Sequence, residues 1–115
     1  MGGLTPRRGE VWYADLEPVR GREQGGRRPV LIVSVDGLNA GPADLVLAIA
    51  ITTTERAIYW HVPVQPPEAG LRLASFIKCE NVRSISKERL GRRLGEVSEA
   101  TMAEVEDILR ALLDL

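Results

Sequence analysis

The segment from Gly21 to Pro29, with the sequence GREQGGRRP, contains the side chains that phosphate chemistry requires. Arginine binds a phosphate through two donors, and a carboxylate such as that of Glu23 can move a proton. The glycine pair lets the backbone turn and approach a ligand closely. Because the segment is too polar for a core and precedes an apolar stretch, it predicts a phosphate-handling loop that ends at Pro29.

Few other groups in the sequence support metal or nucleophilic chemistry. His61 is the only histidine and Cys79 the only cysteine, so the chain cannot assemble a zinc site of the usual kind. A carboxylate-based Mg²⁺ site stays open, although no cluster of acidic residues indicates one. His61 lies in an apolar stretch, which argues against a serine–histidine pair. The glycines also lack the spacing of a P-loop or a dinucleotide motif.

Few reactions can be catalysed by an arginine, a carboxylate and a hydroxyl without a metal ion or a histidine. Cleavage of RNA is one candidate, because the 2′-hydroxyl of the substrate serves as the nucleophile. The protein then has to neutralise the phosphate and assist proton movement. Glu23, Arg28 and the threonine run that begins at Thr52 could provide these groups. The alternative is that Arg28 pairs with a surface acid and Thr52 is an ordinary strand-end threonine.

Length and composition limit the organisation of the chain. With 115 residues it is long enough for one domain and too short for two, so we expect a single domain over residues 1–115. No apolar run reaches membrane-spanning length, and the first residues lack the apolar region of a secretory signal. A lone cysteine, which we interpret as a structural thiol, fits a reducing compartment. We therefore expect a cytoplasmic protein that does not act at a membrane.

The charges are unevenly distributed along the chain, although the net charge is only −1. Residues 96–115 hold six acids and one base, so residues 1–95 carry a net charge of +4. Thirteen of the fifteen basic residues are arginine, which favours a local arginine-lined surface for an anionic partner. A solvated surface of mixed charge is the alternative.

Short apolar segments separated by turn residues predict a β-rich fold. We expect strands over residues 10–15, 29–35, 45–51, 58–64, 75–79 and 82–85. Clusters of glycine and proline predict turns over residues 36–44 and 66–70, and residues 52–56 connect the third and fourth strands.

The last part of the sequence differs in its periodicity. Ser98 can cap a helix, and apolar residues then recur at helical spacing: Met102, Val105, Leu109, Leu112 and Leu113, flanked by Ile108 and Leu115. This pattern predicts an amphipathic helix whose apolar side faces the core. Several short strands closed by one helix indicate a small barrel-like α+β domain.

Four segments of the chain resemble the MazF/PemK toxin ribonucleases of bacterial toxin–antitoxin systems. They are residues 8–12 (RGEVW), 15–30 (DLEPVRGREQGGRRPV), 50–53 (AITT) and 75–85 (SFIKCENVRSI). The stretch Gly-x-Glu-Gln-x-Gly-x-Arg-Pro is highly specific, and the resemblance covers nearly the full length. It implies a small SH3-like β-barrel of the MazF/CcdB/PemK type with a C-terminal amphipathic helix.

The resemblance also implies roles for individual residues. The family's catalytic arginine and threonine fall on Arg28 and Thr52, and its active-site glutamate falls on Glu23. Arg28 would stabilise the pentacovalent phosphorane and could supply a proton to the leaving oxygen, and Thr52 would donate a hydrogen bond to a phosphate oxygen. Glu23 could accept the 2′-hydroxyl proton or orient Arg28. RNA contacts are expected from Gln24, Arg27, Thr53, Arg56, Ser75, Lys78 and Asn81. Asn81 stands where the family commonly has glutamine, so its shorter side chain bears on base preference. No metal and no cofactor are implied.

The function implied by the resemblance is that of a toxin in a type II toxin–antitoxin system. Such a toxin would be a metal-independent endoribonuclease that cleaves single-stranded mRNA, leaving 2′,3′-cyclic phosphate and 5′-hydroxyl ends. The implied partners are an acidic cognate antitoxin and a second copy of the chain in a homodimer.

Two alternatives to this function remain. One is a gyrase-poisoning toxin of the same fold. Its relatives depend on a tryptophan near the C-terminus, whereas Trp12 and Trp60 are the only tryptophans here. The other is a barrel that binds RNA without cleaving it.

Overall fold

A computed structural model describes residues 5–16 and 26–115 of the chain. Within these residues the chain forms seven strands: β1 (Glu10–Asp15), β2 (Arg27–Ile32), β3 (Leu45–Thr52), β4 (His61–Val64), β5 (Ser75–Lys78), β6 (Arg83–Ser86) and β7 (Leu90–Glu96). A single helical turn, α1 (Asp36–Asn39), and a C-terminal helix, α2 (Glu99–Leu113), complete the regular structure of this part. Short 3₁₀ turns occur at Glu68–Gly70, Cys79–Asn81 and Lys87–Arg89.

The strands form one antiparallel sheet in the order β4-β5-β3-β2-β1-β7, and β6 also pairs with β3. β3 is eight residues long, so it can pair with β6 through residues 45–48 and with β5 through residues 51–52. In the described part of the chain β4 and β7 stand at the two ends of the sheet, which is therefore not closed. An open, barrel-like sheet with a C-terminal helix confirms the predicted fold class.

The central strands carry apolar side chains on both faces, because successive residues of a strand point to opposite sides. On one face, Val11, Leu31, Ile49 and Ile51 form the first core with Met102, Val105 and Ile108 of α2. On the other face, Trp12, Val30, Ile32, Ala48 and Ala50 form the second core with Ile85 of β6. This double burial explains why β2 and β3 have continuous apolar sequences.

The C-terminal helix begins where the sequence predicts. The Ser98 hydroxyl oxygen accepts a hydrogen bond from the backbone N–H of Thr101 at 3.1 Å, which satisfies one free donor of the first turn. Met102, Val105 and Ile108 are buried, as their spacing predicts. The predicted apolar stripe is wrong at its end, because Leu113 and Leu115 are 58% and 86% exposed.

Several strand boundaries differ from the sequence-based expectation. β2 starts and ends earlier than residues 29–35, and β4 begins at His61, so Ile58 is exposed outside regular structure. β7 was not predicted at all. Its sequence, LGRRLGE, lacks β-branched and aromatic residues, so pairing with β1 and not intrinsic propensity makes it a strand.

Close backbone packing fixes the position of β7. The 3₁₀ turn Glu68–Gly70 lies against this strand, and a Cβ atom placed on Gly95 would be 2.7 Å from the carbonyl carbon of Ala69. Only glycine therefore fits at this position without a backbone shift.

Candidate active site

Arg28 and Thr52 come from neighbouring antiparallel strands. β2 and β3 pair with Val30 opposite Ala50 and Ile32 opposite Ala48. The next position on the same face, in the same register, puts Arg28 across from Thr52. Opposite residues in an antiparallel ladder have Cα atoms about 4.5–5.5 Å apart, and Arg28 and Thr52 lie two residues beyond the last such pair, Val30 and Ala50.

Both side chains extend from the sheet face that carries the second core. Arg28 lies opposite Ala14 of β1, and Thr52 lies opposite Phe76 of β5. Ala14 and the neighbouring Ala50 are small and buried. Two small buried side chains are therefore the neighbours of Arg28 and Thr52 on this face.

The hydroxyl of Thr52 has one interaction that orients it. Its oxygen accepts a hydrogen bond from the backbone N–H of Thr54 at 3.1 Å. A hydroxyl has one donor in addition to its acceptor sites, and no acceptor for that donor occurs among residues 5–16 and 26–115. Thr52 is half-buried and can therefore donate to an oxygen that approaches from outside.

Three more polar residues lie on or after β5. Lys78 is half-buried at the end of β5, and Asn81 follows in the turn Cys79–Asn81. The Oδ1 atom of Asn81 and the Nη1 atom of Arg83 are buried and have no hydrogen-bond partner in the described part of the chain. Arg83 lies opposite Ala48, hence on the same sheet face as Thr52. Sequence reasoning had not assigned Arg83, whose only signal was its place in the segment 75–85.

The remaining predicted RNA-binding residues are dispersed. Arg27 is exposed and lies opposite Asp15, on the other face of β2 from Arg28. Thr53 and Arg56 are exposed in the segment between β3 and β4. Ser75 is only 4% exposed, and its hydroxyl donates to the carbonyl oxygen of Leu73 at 2.8 Å, so it is engaged within the fold.

Glu23 and Gln24 lie outside the described residues. The predicted roles of both residues therefore stay predictions.

The only cysteine and the only histidine are both engaged in the fold. Cys79 is fully buried, and burial raises the pKa of its thiol to about 12, which confirms the structural interpretation. The Nε2 atom of His61 lies 3.0 Å from the Oε2 atom of Glu80. In the part of the chain that the structure describes, no group of three or more His, Cys, Asp or Glu side chains could hold a metal ion.

A buried carboxylate ties the first strand to the last one. Glu10 accepts hydrogen bonds from the Trp12 indole N–H at 3.0 Å, the Arg93 Nε–H at 2.7 Å and the Arg7 backbone N–H at 2.8 Å. Burial by itself would raise the pKa of Glu10, but these donors together hold it below its ordinary value. Glu10 thus holds β1 in place, and β1 pairs with β2, the strand that carries Arg28.

Among the described residues, no helix is both long and apolar enough to cross a membrane.

The sequence matches a known protein family over almost its whole length. Residues 7–113 match the family described as PemK-like, MazF-like toxin of type II toxin-antitoxin system. Among curated proteins, the chain is 36% identical over 114 residues to Endoribonuclease MazF9 of Mycobacterium tuberculosis, covering 95% of this chain and 97% of that protein. It is 40% identical over 110 residues to Endoribonuclease MazF of Staphylococcus epidermidis, covering 95% and 92%.

Solved structures show the same fold. A crystal structure of MazF from Deinococcus radiodurans superposes with a TM-score of 0.87 at 28% identity, covering 98% of this chain and 100% of that one. An endoribonuclease from a Mycobacterial species, in complex with its cognate antitoxin, superposes with a TM-score of 0.80 at 34% identity, covering 96% of each chain.

Proposed function

The chain belongs to the PemK-like, MazF-like family of toxins of type II toxin–antitoxin systems, and we propose that it is an endoribonuclease of this kind. Its substrate is single-stranded RNA, mRNA above all, and its reaction needs no metal ion or cofactor. Two relatives that are 36% and 40% identical carry the name endoribonuclease, which supports RNA cleavage as the activity.

The observation that carries this proposal is the register of β2 and β3. This register puts Arg28 and Thr52 on one side of the sheet. It therefore supports a mechanism in which the guanidinium and the hydroxyl bind the same phosphate. Arginine suits this role because its planar, permanently charged fork binds two phosphate oxygens at once. The Thr52 hydroxyl, fixed by the Thr54 N–H, adds a donor of defined direction.

The reaction we propose is an attack by the 2′-oxygen of the RNA on its own phosphorus. The bond from the 2′-oxygen to phosphorus forms while the bond from phosphorus to the 5′-oxygen breaks, which yields a 2′,3′-cyclic phosphate and a 5′-hydroxyl. Negative charge accumulates on the non-bridging oxygens as this proceeds. Arg28 and Thr52 stabilise that charge more strongly in the transition state than in the ground state, which accelerates cleavage.

The two proton transfers need separate groups. Glu23 is our candidate for the base that takes the 2′-hydroxyl proton. The alternative role for Glu23 is to orient Arg28. The guanidinium keeps its proton at all accessible pH values. We therefore propose that Arg28 acts through charge and hydrogen bonding, and that water supplies the proton to the 5′-oxygen.

The RNA contacts around this centre form the second part of the proposal. Lys78 and Asn81 lie on the β5 side of Thr52, and Thr53 and Arg56 lie on the segment after it. Asn81 is the strongest candidate for reading a base, because its buried Oδ1 has no partner among the described residues and an amide can pair with base edges. Gln24 and Arg27, which precede Arg28 in the sequence, complete the proposed set, and Ser75 contributes only if its bond to Leu73 opens.

We further propose that the protein acts in the cytoplasm as a symmetric homodimer. Leu45 and Leu47 of β3 are 38% and 40% exposed, so a second copy could bury apolar surface that a domain of this size leaves open. Sedimentation as a monomer at micromolar concentration would overturn the dimer.

The second partner we propose is an acidic antitoxin that silences the toxin. A structural relative occurs in complex with its cognate antitoxin. The net charge of +4 on residues 1–95 supplies the electrostatic attraction.

A cleavage assay tests the proposed activity. Purified protein is incubated with a mixed-sequence single strand, with a duplex of the same sequence, and with the single strand after EDTA treatment. We expect cleavage of the single strand in both buffers and no cleavage of the duplex, with cyclic phosphate at the new 3′ ends. An RNA that is bound but stays intact under every condition would overturn the proposal.

A further inference from the structure

A cleft lies on the sheet face opposite the Arg28–Thr52 pair. It encloses about 330 Å³ at the end of the sheet where β2 begins and β3 ends. The residues that line it include Tyr13, Pro29, Thr53, Arg72, Leu73 and Arg92. We call it the Tyr13 cleft. None of its arginines belongs to the proposed catalytic pair.

The cleft is cationic and keeps its charge available. Arg72 and Arg92 are both exposed, and neither has a carboxylate partner in residues 5–16 or 26–115. The adjacent Arg93 differs from them, because its Nε atom forms an ion pair with Glu10 at 2.7 Å. An anion that enters the cleft therefore meets two arginines that need not give up an existing ion pair.

A guanidinium lies over an aromatic ring in the same cleft. The guanidinium carbon of Arg92 lies 5.5 Å from the centroid of the Tyr13 ring, which is 39% exposed. This contact orients the guanidinium and holds it in place. Bases of single-stranded nucleic acids stack on aromatic rings and on guanidinium planes, so a base can extend the stack. Leu73, which is 65% exposed, adds apolar contact.

The position of the cleft connects it to the proposed site. Thr53, which lines it, directly follows Thr52, and Arg27 on this face directly precedes Arg28. The cleft and the pair thus lie at the same end of β2 and β3, so an RNA strand bound at both would cross these strand ends.

We infer that the Tyr13 cleft is a subsite for a nucleotide flanking the scissile phosphate. The base stacks on Arg92, and Arg72 neutralises the adjoining phosphate. This inference rests on the proposed function in that both need single-stranded RNA as the ligand. An acidic segment of a protein partner is the competing occupant, and stacking favours the nucleotide because a carboxylate gains nothing from an aromatic ring.

Binding measured without cleavage tests the subsite separately from the activity. The probe is a fluorescent, mixed-sequence single strand with 2′-O-methyl groups throughout, which cannot be cleaved through its own hydroxyls. We expect Arg92→Ala and Arg72→Ala each to weaken its binding about tenfold, the loss of one stacked or charge-paired nucleotide. Arg110→Ala is the matched control, since Arg110 pairs with Asp107 on α2, and it should bind like the wild type.

Cleavage kinetics then show on which side of the cut the nucleotide bound by the Tyr13 cleft lies. With a substrate cut by the wild type, Arg92→Ala should raise KM for the long RNA and leave kcat unchanged. Trimming the RNA on one side of the cut should abolish the difference between variant and wild type. Because Arg72 and Arg92 are exposed, both variants should fold, whereas Tyr13→Ala also removes packing.

Three results separate the possibilities. Variants that match Arg110→Ala with both RNA probes overturn the subsite. Variants that bind RNA normally but lose affinity for an acidic antitoxin assign the cleft to the protein partner and also overturn it. A wild type that binds the methylated strand through Arg92 and cleaves nothing supports the subsite and refutes the proposed function.

Discussion

Arg28 of β2 and Thr52 of β3 share the register of the pair Val30 and Ala50 and lie two residues beyond it on the same face of the sheet. This relationship depends on register alone. A slip of one residue in β2 would turn Arg28 towards the other face of the sheet and separate the two groups. The double-sided burial of β2 and β3 prevents such a slip, because it would also move Val30 and Leu31 into the wrong cores.

Removal of the Thr52 hydroxyl tests its role as a phosphate donor. Thr52→Val keeps the shape of the side chain, and we expect cleavage to slow about a hundredfold, as when one transition-state donor is lost. Thr52→Ser should retain most of the rate. Thr54→Val is the control, because Thr54 interacts with Thr52 only through its backbone N–H. Equal rates for Thr52→Val and Thr54→Val would remove Thr52 from the mechanism.

The carboxylate of Glu10 should make stability depend on pH. Its pKa is lowered in the folded protein because the donors Trp12, Arg93 and Arg7 outweigh the effect of burial. The stabilisation is therefore complete above the unfolded value of about 4.3 and is lost as the pH falls through the folded pKa. We expect Glu10→Gln to cost about 1–3 kcal/mol of unfolding free energy at neutral pH. That cost should shrink in acid, and urea titrations at several pH values measure it. A cost independent of pH would show that the charge of Glu10 is not involved.

Gly95 should tolerate no side chain. A Cβ atom would lie 2.7 Å from the carbonyl carbon of Ala69, so we expect Gly95→Ala to destabilise the protein by about 1–3 kcal/mol. Gly37→Ala is the matched control, since a Cβ atom there would meet nothing within 4 Å. Urea unfolding of both variants measures the difference in stability. Similar midpoints would mean that β7 and the turn Glu68–Gly70 can move apart at little cost in free energy.

An acidic antitoxin should compete with RNA for one surface. Arginines such as Arg27 and Arg28 bind carboxylates as well as phosphates, and residues 1–95 carry the positive charge. We expect inhibition to weaken as RNA concentration rises, and binding to weaken as salt rises. Inhibitor titrations at several RNA concentrations measure both effects. If inhibition did not change with RNA concentration and the inhibited complex still bound RNA, the antitoxin would bind at a different surface from RNA.

Much of the fold could be predicted from local sequence, and the misses have physical reasons. Periodicity and the Ser98 cap predicted α2 because a helix is built from neighbouring residues. β7 was missed because its arginine-rich sequence becomes a strand only through pairing with β1. The stretch Ile58–Trp60 has strand-forming residues but lies outside regular structure.

The candidate site was predictable in its residues but not in its geometry. Family resemblance indicated Arg28 and Thr52, which the register of β2 and β3 then brings to one face. The Tyr13 cleft could not be foreseen, because Tyr13, Arg72 and Arg92 are far apart in the sequence and converge only when β7 pairs with β1. The roles of Glu23 and Gln24 stay predictions from the resemblance.

The central claim is that Arg28 stabilises the developing phosphate charge, and single-turnover cleavage by Arg28 variants in EDTA tests it most directly. We expect Arg28→Ala to remain folded and to lose about two to three orders of magnitude in rate at saturating RNA. Arg28→Lys should also be slow, because an ammonium lacks the planar fork. Arg27→Ala, which changes the opposite face of the same strand, should keep its saturated rate. Near-normal cleavage by folded Arg28→Ala would contradict the account.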